Sequence, residues 1–146
     1  MTRHAAYVLL SIIAAGCAAH PAPRLLTANP PRAVDVVALE AQTPLGPTEN
    51  IRRTEVDHGD NSSVSFVQIR DREPPHIHTR YDLTVTLVDG AGTLWLNGTA
   101  LPMRSGDVAY IPRGTPHYFV NEGRTPAATL VSSSPPFTGP DQQPAP

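Results

Sequence analysis

Lysine is absent from this 146-residue chain, and all 11 of its basic residues are arginines. Without a lysine amine, Schiff-base chemistry and a lysine general base are excluded, apart from the amine of the chain terminus. The arginines are opposed by 13 acidic residues, which leaves a formal net charge of -2 at pH 7. A near-neutral, slightly acidic chain gives nucleic-acid binding no electrostatic support. We therefore predict no nucleic-acid partner.

Helical periodicity is also missing, because no segment repeats apolar residues every 3.6 positions over the length of a helix. The chain instead holds 17 prolines and 10 glycines, which favours short strands separated by turns. Asn97-Gly98 is a strong two-residue hairpin signal, since both residues tolerate a positive φ. The predicted fold class is therefore all-β, a single sandwich or barrel of about a hundred residues. The predicted strands are residues 34–39, 51–56, 63–70, 83–89, 93–96, 107–111, 118–120 and 127–132.

Cysteine is nearly absent, and its one occurrence is informative. Cys17 stands alone, which excludes an intramolecular disulfide and a cysteine-rich zinc site. It follows a short positive start and the apolar run 5–15. That run has the length of a signal-peptide core and is too short to span a bilayer.

The residues Ala14-Ala15-Gly16-Cys17 resemble the bacterial lipobox, in which the peptide is cut before the cysteine and the thiol carries a diacylglycerol. The resemblance implies a signal peptide over residues 1–16 and lipidation of Cys17. Ala18 then favours the outer membrane, facing the periplasm. Two alternatives are an ordinary secretory signal cut near Ala19 and a retained N-terminal anchor.

The rest of the chain divides into three parts by composition. Residues 17–33 are rich in alanine and proline and are predicted to be an extended tether. Residues 34–134 hold the predicted barrel, and residues 135–146 are predicted to be an irregular, proline-rich tail.

Three histidines carry the chemistry. His76 and His78 are alternate residues of one short segment, so as strand residues they would share a face and could hold one ion. His117 lies some forty positions later and would join them only if the fold brings it near. Two histidines at this spacing are by themselves a weak signal.

The spacing around His117 resembles the second motif of the cupin superfamily, Gly-x5-Pro-x-Gly-x2-His-x3-Asn, at every position. It runs from Gly106 through Pro112 and Gly114 to His117 and Asn121. The first cupin motif is partly present as His76-x-His78 followed by Gly90. The resemblance implies a small jelly-roll barrel in which His76, His78 and His117 line the pocket and bind a divalent metal. Iron, manganese, zinc, nickel and copper all accept imidazole. Because the imidazoles must be deprotonated, we expect affinity to fall below about pH 6.

One expected ligand is missing. Most metal cupins have a glutamate that follows the second histidine and precedes the glycine of the first motif at fixed spacings. Counting back from Gly90 reaches Leu83, and counting forward from His78 by the shorter spacing reaches Asp82. Leu83, Val85 and Leu87 form an apolar face that suits the barrel interior, which would turn Asp82 to the rim or outside. We predict a three-histidine site, and keep an inward Asp82 as the alternative fourth ligand.

Several further residues receive structural interpretations. Residues 70–73 are predicted to form a solvated strand end, Trp95 to lie in the core, and Asn121 to bond within a turn. Tyr81, Tyr110, Arg113 and Tyr118 flank the pocket segments and are predicted to be rim or packing residues.

Three functions compete. An open metal site permits dioxygenase, isomerase or lyase chemistry on a small molecule in the barrel pocket. A non-catalytic module that binds a metal or small molecule is equally compatible with the sequence, and a partner-binding lipoprotein with an idle pocket is a third reading. The predicted partners are a small-molecule ligand, a membrane through the N-terminal lipid, and a second copy of the chain.

Overall fold

The computed structural model describes residues 23–28 and 30–145, so Cys17, the predicted signal peptide and the first part of the predicted tether lie outside the described residues. Among the described residues no helix is long and apolar enough to cross a membrane. The elements, in chain order, are β1 Arg24–Ala28, β2 Pro31–Asp35, α1 Val36–Gln42, β3 Ile51–His58, β4 Ser63–Ile69, β5 His76–His78, β6 Asp82–Asp89, β7 Ala91–Leu96, β8 Thr99–Arg104, β9 Val108–Ile111, β10 His117–Asn121, β11 Ala127–Ser134 and β12 Gln142–Pro144.

Ten of these strands form two five-stranded antiparallel sheets. The first sheet has the order β3-β4-β11-β6-β9, and the second has the order β12-β5-β10-β7-β8. Neighbours in each sheet are mostly distant in sequence, as in a jelly roll. The predicted all-β jelly-roll barrel is confirmed.

The main core lies between the two sheets. Alternate residues of each strand point inward, so Leu83 and Leu87 of β6 meet Leu94 of β7 and Phe119 of β10. A smaller apolar cluster lies on the other face of the first sheet, where Val36 of α1 covers Phe66 and Ala128. The helix therefore covers the barrel from outside and leaves its interior open for the site.

The predicted strand over residues 34–39 is wrong beyond Asp35, because α1 begins there. Asp35 Oδ1 accepts hydrogen bonds from Val37 N at 2.9 Å and from Ala38 N at 3.1 Å. An aspartate in this position is a favourable N-cap. Burial of Val36 against Phe66 adds a tertiary contact. Capping and packing together outweigh the strand preference of two adjacent valines.

The described part of the predicted tether is a hairpin rather than an extended linker. β1 and β2 pair antiparallel from Arg24↔Asp35 to Ala28↔Pro31. Arg32 ties this hairpin to the barrel, since its Nη2 donates to Val56 O at 2.6 Å.

The prediction also omitted β8, which contains Pro102. Proline cannot donate a ladder hydrogen bond and is tolerated only at sheet edges. β8 is the edge strand of the second sheet, where that missing donor matters little. The turn before β8 is as predicted, with φ values of 48° at Asn97 and 78° at Gly98.

The predicted irregular tail is wrong in its last part. β12 pairs with β5, with Gln142 opposite His78 and Pro144 opposite His76. Tyr81 fixes the segment before β12, because its hydroxyl accepts from Thr138 N at 2.9 Å and donates to Gly139 O at 3.2 Å. The tail therefore completes the sheet that carries the histidines.

Candidate metal centre

The three predicted histidines meet on the inner face of the second sheet. β5 and β10 are neighbours, with His117 directly opposite His76, and His78 shares the face of His76 because the two are alternate residues of one strand. The ring centroids are 4.3 Å apart for His76 and His117, 5.0 Å for His76 and His78, and 5.5 Å for His78 and His117. One nitrogen from each ring lies within 4.8 Å of the others. The three histidines are therefore positioned to bind a metal ion.

The turn of the second motif holds β10 against β5. Gly114 has φ +77°, a left-handed conformation that favours glycine. Its N–H donates to His78 O at 2.7 Å, and Thr115 N donates to Pro112 O at 3.1 Å. Asn121 closes the other end of β10, since its Nδ2 donates to Arg70 O and Thr125 O at 2.8 Å each. These contacts explain the motif's spacing as a backbone requirement.

Backbone carbonyls orient two of the rings. His76 Nδ1 lies 2.8 Å from Pro74 O, and His117 Nδ1 lies 2.8 Å from Thr115 O. A carbonyl oxygen only accepts, so each Nδ1 must carry the proton. Each Nε2 then keeps its lone pair, which is the form of imidazole that binds a metal.

Asp141 orients the third ring, and sequence reasoning missed it. Its Oδ1 lies 2.6 Å from His78 Nδ1, its Oδ2 accepts from Arg80 N at 2.8 Å, and its side chain is only 1% exposed. Burial alone would raise the pKa of Asp141, but the hydrogen bonds from His78 and Arg80 outweigh it and lower the pKa. The carboxylate therefore accepts the Nδ1 proton and leaves His78 Nε2 free, as in carboxylate–histidine–metal arrangements.

Burial favours the neutral form of His78 and His117. It lowers the pKa of His117 to about 4. It also lowers the pKa of His78, against the opposing effect of Asp141. Proton competition at these two ligands therefore begins at a lower pH than the value of about 6 expected for ordinary histidines.

Asp82, the alternative fourth ligand, is engaged elsewhere. Its carboxylate accepts from Arg113 N at 2.9 Å and from Arg113 Nε and Nη2 at 3.1 Å each. These hydrogen bonds lower the pKa of Asp82. Leu83, one position on, is buried and lines the barrel interior. Strand alternation thus places the leucine inward and leaves the aspartate outside the histidine cluster.

The histidines line a cavity of about 390 Å³ inside the barrel. Its wall is mainly aliphatic and aromatic, and the tail contributes Phe137, Pro140 and Gln142. The volume lies near the small end of the roughly 300–1,000 Å³ typical of ligand pockets. The apolar residues that the two sheets contribute to the wall are Ile51, Val67, Ile69, Leu83, Val85, Leu94, Met103, Ile111, Phe119 and Val131.

Besides the histidines and Tyr81, the ionisable side chains that the described residues contribute to this wall are Glu73 and Arg53. Glu73 was predicted to belong to a solvated strand end, and that prediction is wrong for it. Its Oε2 accepts from Phe119 N at 2.9 Å, and burial raises its pKa although nearby His76 opposes the shift. Arg53 packs its guanidinium over Phe137, with Cζ 3.4 Å from the ring centroid.

The remaining flanking residues divide between wall and surface. Tyr81 lines the cavity, whereas Tyr110 and Arg113 are exposed. The prediction that Trp95 lies in the core is wrong. Its neighbours Leu94 and Leu96 point into the barrel, so strand alternation turns Trp95 outward. It stacks on Tyr118 at a centroid distance of 5.6 Å and an interplanar angle of 6°. The pair lies on the outer face of the second sheet.

Comparison with known proteins agrees with this geometry. A family model described as "Cupin domain" matches residues 64–133, which contain all three histidines. An uncharacterized protein of Aquifex aeolicus is 34% identical over 96 residues, covering 66% of this chain and 78% of that protein. A second uncharacterized protein, from Methanocaldococcus jannaschii, is 31% identical over 79 residues, covering 54% of this chain and 63% of that protein.

Solved structures show the same fold. KdgF from Halomonas sp. matches with a TM-score of 0.59 and 25% identity, over 67% of this chain and 91% of that one. An RmlC-like cupin from Desulfovibrio desulfuricans matches with a TM-score of 0.52 and 23% identity, over 60% and 85% of the two chains. A variant of Streptomyces PAC13 with uridine matches with a TM-score of 0.56 and 22% identity, over 66% and 79%. The family match, the intact second motif and the converged histidines together show that residues 64–133 of this chain are a cupin domain.

Proposed function

We propose that the protein is a metal-dependent enzyme that acts on a small organic molecule inside the barrel. The observation that carries the proposal is that the three histidines line one cavity with their Nε2 lone pairs available. In each ring Nδ1 donates its proton to a protein oxygen, so Nε2 is unprotonated. His76, His78 and His117 would hold the ion. Three protein ligands leave coordination positions for water or substrate. A bound divalent metal would polarise a substrate oxygen or lower the pKa of a bound water.

Glu73 favours a reaction with proton transfer. Its carboxyl group faces the cavity, with one oxygen held by Phe119 N. Burial raises the pKa of Glu73, which favours the protonated carboxyl that can donate a proton to a substrate. Of the predicted chemistries, an isomerase or lyase uses such a group directly. We therefore favour these two classes over a dioxygenase.

The class of ligand follows from the cavity. A volume of about 390 Å³ with a mainly apolar wall suits one small organic molecule. The Streptomyces neighbour was solved with uridine, which supports small-molecule binding in this type of barrel. At 22% sequence identity this similarity supports only a shared fold. The class of ligand proposed for this chain therefore rests on its cavity alone.

Metal content is the first test. The full chain, purified without a metal-chelating resin, should hold one divalent ion, and the His117→Ala variant should hold none. Metal-loaded wild type incubated with a small-molecule extract should then deplete a compound and form an isomer or elimination product, which Glu73→Gln should not do. Absence of metal after reconstitution would overturn the proposal. Metal binding with no product formed would identify a non-catalytic binding module instead.

We also propose that the protein is a lipoprotein of the bacterial envelope, anchored through Cys17 and facing the periplasm. This proposal rests on the lipobox-like residues Ala14-Ala15-Gly16-Cys17 and the apolar run before them. Cells given labelled palmitate should label the wild type and not Cys17→Ala. Equal labelling of the two would overturn the assignment. The predicted homodimer remains a prediction, which sedimentation of the full chain checks.

A further inference from the structure

Arg53 is a cation in the cavity wall that forms no salt bridge with the described residues, and the exposed Glu55 attracts it only at longer range. The side chain extends from β3 between Ile51 and the exposed Glu55, and its guanidinium lies flat on Phe137. Its Nη2 is buried and donates to no acceptor among residues 23–28 and 30–145. The other buried carboxyls near the site are already engaged, Glu73 by Phe119 N and Asp141 by His78.

A guanidinium with one buried and unpaired nitrogen is costly. Leaving one buried donor unsatisfied costs about 1–3 kcal/mol, and more for a charged group. The stacking on Phe137 recovers only about 0.5–2 kcal/mol of this cost. Burial lowers the pKa of Arg53, yet arginine remains charged at any pH of interest. A buried unsatisfied polar group in a native protein calls for an explanation, and a functional role is one such explanation.

The surroundings of Arg53 indicate the ligand it would accept. Its planar group offers parallel N–H donors that match a carboxylate. A phosphate dianion needs further cations, and among the described residues Arg53 is the only arginine that lines this cavity. The nearby wall is apolar, with Val67 directly opposite Arg53 in the sheet register. An anionic group attached to an apolar body fits both features.

We propose that Arg53 is the anion-binding residue of the cavity and that the natural ligand is a small organic acid. Its carboxylate is held by Arg53, and its apolar body lies against the aliphatic wall that also carries the histidines. This inference rests on the proposed function, because Arg53 has this role only if the cavity receives a ligand.

The test uses a pair of probes that share an apolar chain and differ in charge, hexanoate and hexanamide. Binding to the full chain is followed by NMR, with the Arg53 Nε–Hε signal as the local reporter, in metal-free and zinc-loaded protein. In metal-free wild type we expect hexanoate to bind at least tenfold more tightly than hexanamide and to shift the Arg53 signal. Arg53→Gln should lose the tenfold preference. Butanoate and benzoate, each against its amide, repeat the test with shorter and bulkier bodies.

Two variants separate this inference from the proposed function. His117→Gln should lose zinc and keep the preference for hexanoate. Arg104→Gln removes an equal charge from an exposed position whose side chain makes no hydrogen bond to the described residues, and it should behave as wild type. Arg53→Lys keeps the charge without the planar fork and should retain only part of the preference.

The outcomes are distinct. A preference for hexanoate that needs zinc and survives in Arg53→Gln would mean that the carboxylate binds the metal, which overturns the inference and leaves the proposed function standing. Equal binding of acid and amide, or binding of none of the probes, would overturn the inference directly. A preference that depends on Arg53 in a protein that never binds metal would support the inference and overturn the metal-dependent function.

Discussion

The histidine cluster and Arg53 lie in the same apolar cavity but in opposite states of hydrogen bonding. Each histidine has its Nδ1 within 2.6–2.8 Å of a fixed acceptor. Arg53 stacks on a ring and leaves buried Nη2 without an acceptor among the described residues.

The difference reflects what each group must do before a ligand arrives. A metal-binding imidazole works only in one tautomer and orientation, so its second nitrogen must be satisfied in advance. An anion-binding guanidinium must instead keep its donors free. The first kind of site is stable without its ligand, whereas the second costs stability until the ligand binds.

Removal of a histidine should have the largest effect. His117→Ala should weaken binding of zinc or nickel by more than about 100-fold. Loss of a group that only hydrogen-bonds a metal ligand already lowers metal affinity about 10- to 100-fold, and loss of a ligand should cost more. Titration of metal-free protein by calorimetry measures this. His58→Ala is the matched control, since His58 is exposed and lies beside Glu55, outside the cavity. Equal metal affinity in wild type and His117→Ala would mean that the cluster is not the metal site.

Acid should destabilise the metal-free protein through the same residue. The pKa of His117 is about 4 in the folded chain and about 6.5 in an unfolded one. Above pH 6.5 both states are neutral and His117 contributes nothing. As the pH falls from 6.5 to 4, the unfolded state binds the proton first, and the free energy of unfolding falls by up to about 3 kcal/mol.

Urea unfolding at several pH values measures this slope, and subtraction of the His117→Gln data isolates it from other groups. The subtraction matters because Glu73, whose pKa is raised, acts in the opposite direction. Identical slopes in the two proteins would show that His117 is not buried in the neutral form. The histidine cluster would then lack the desolvation that distinguishes it from an exposed group.

Local patterns predicted the ligands better than their supports. Strand alternation placed Leu83 inward and Asp82 outward, and the second motif identified His117 as the partner of His76 and His78. The supporting groups come from pairings that are distant in sequence. Arg52 and Arg53 are adjacent and chemically identical, and only the pairing of β3 with β4 decides which one enters the cavity.

The tail shows the same limit. β12 has only three residues, one of them proline, so no alternating pattern marks it as a strand. Asp141 is nevertheless the only charged residue after Arg124. A single acidic residue in an otherwise uncharged tail was the available signal for a partner of the histidines. Its distance of 63 positions from His78 put the contact beyond local reasoning.

Asp141 gives a smaller, matched test of the histidine cluster. Asp141→Asn keeps the size of the side chain but loses the charge that orients His78, so metal affinity should fall about 10- to 100-fold. Asp82→Asn makes the same chemical change at a carboxylate that bonds Arg113, and it should leave metal affinity within about twofold of wild type. If Asp82→Asn proved the more damaging variant, the carboxylate of Asp82 would have to reach the metal after all.

Arg53 should show the smallest effect, with the opposite sign. Arg53→Met removes the buried unsatisfied Nη2 and keeps a flexible apolar side chain that can pack on Phe137. Removing the unsatisfied donor relieves a cost of about 1–3 kcal/mol, which exceeds the stacking energy lost with the guanidinium. We therefore expect the free energy of unfolding to rise by about 1 kcal/mol. The control is the adjacent Arg52→Met, which should lower stability because Arg52 bonds Glu49 through its guanidinium. Urea unfolding of both variants measures the contrast, and a loss of stability in Arg53→Met would show that Arg53 supports the fold. A gain would mean that the chain retains a destabilising cation in its cavity, as expected of a group kept free for a ligand.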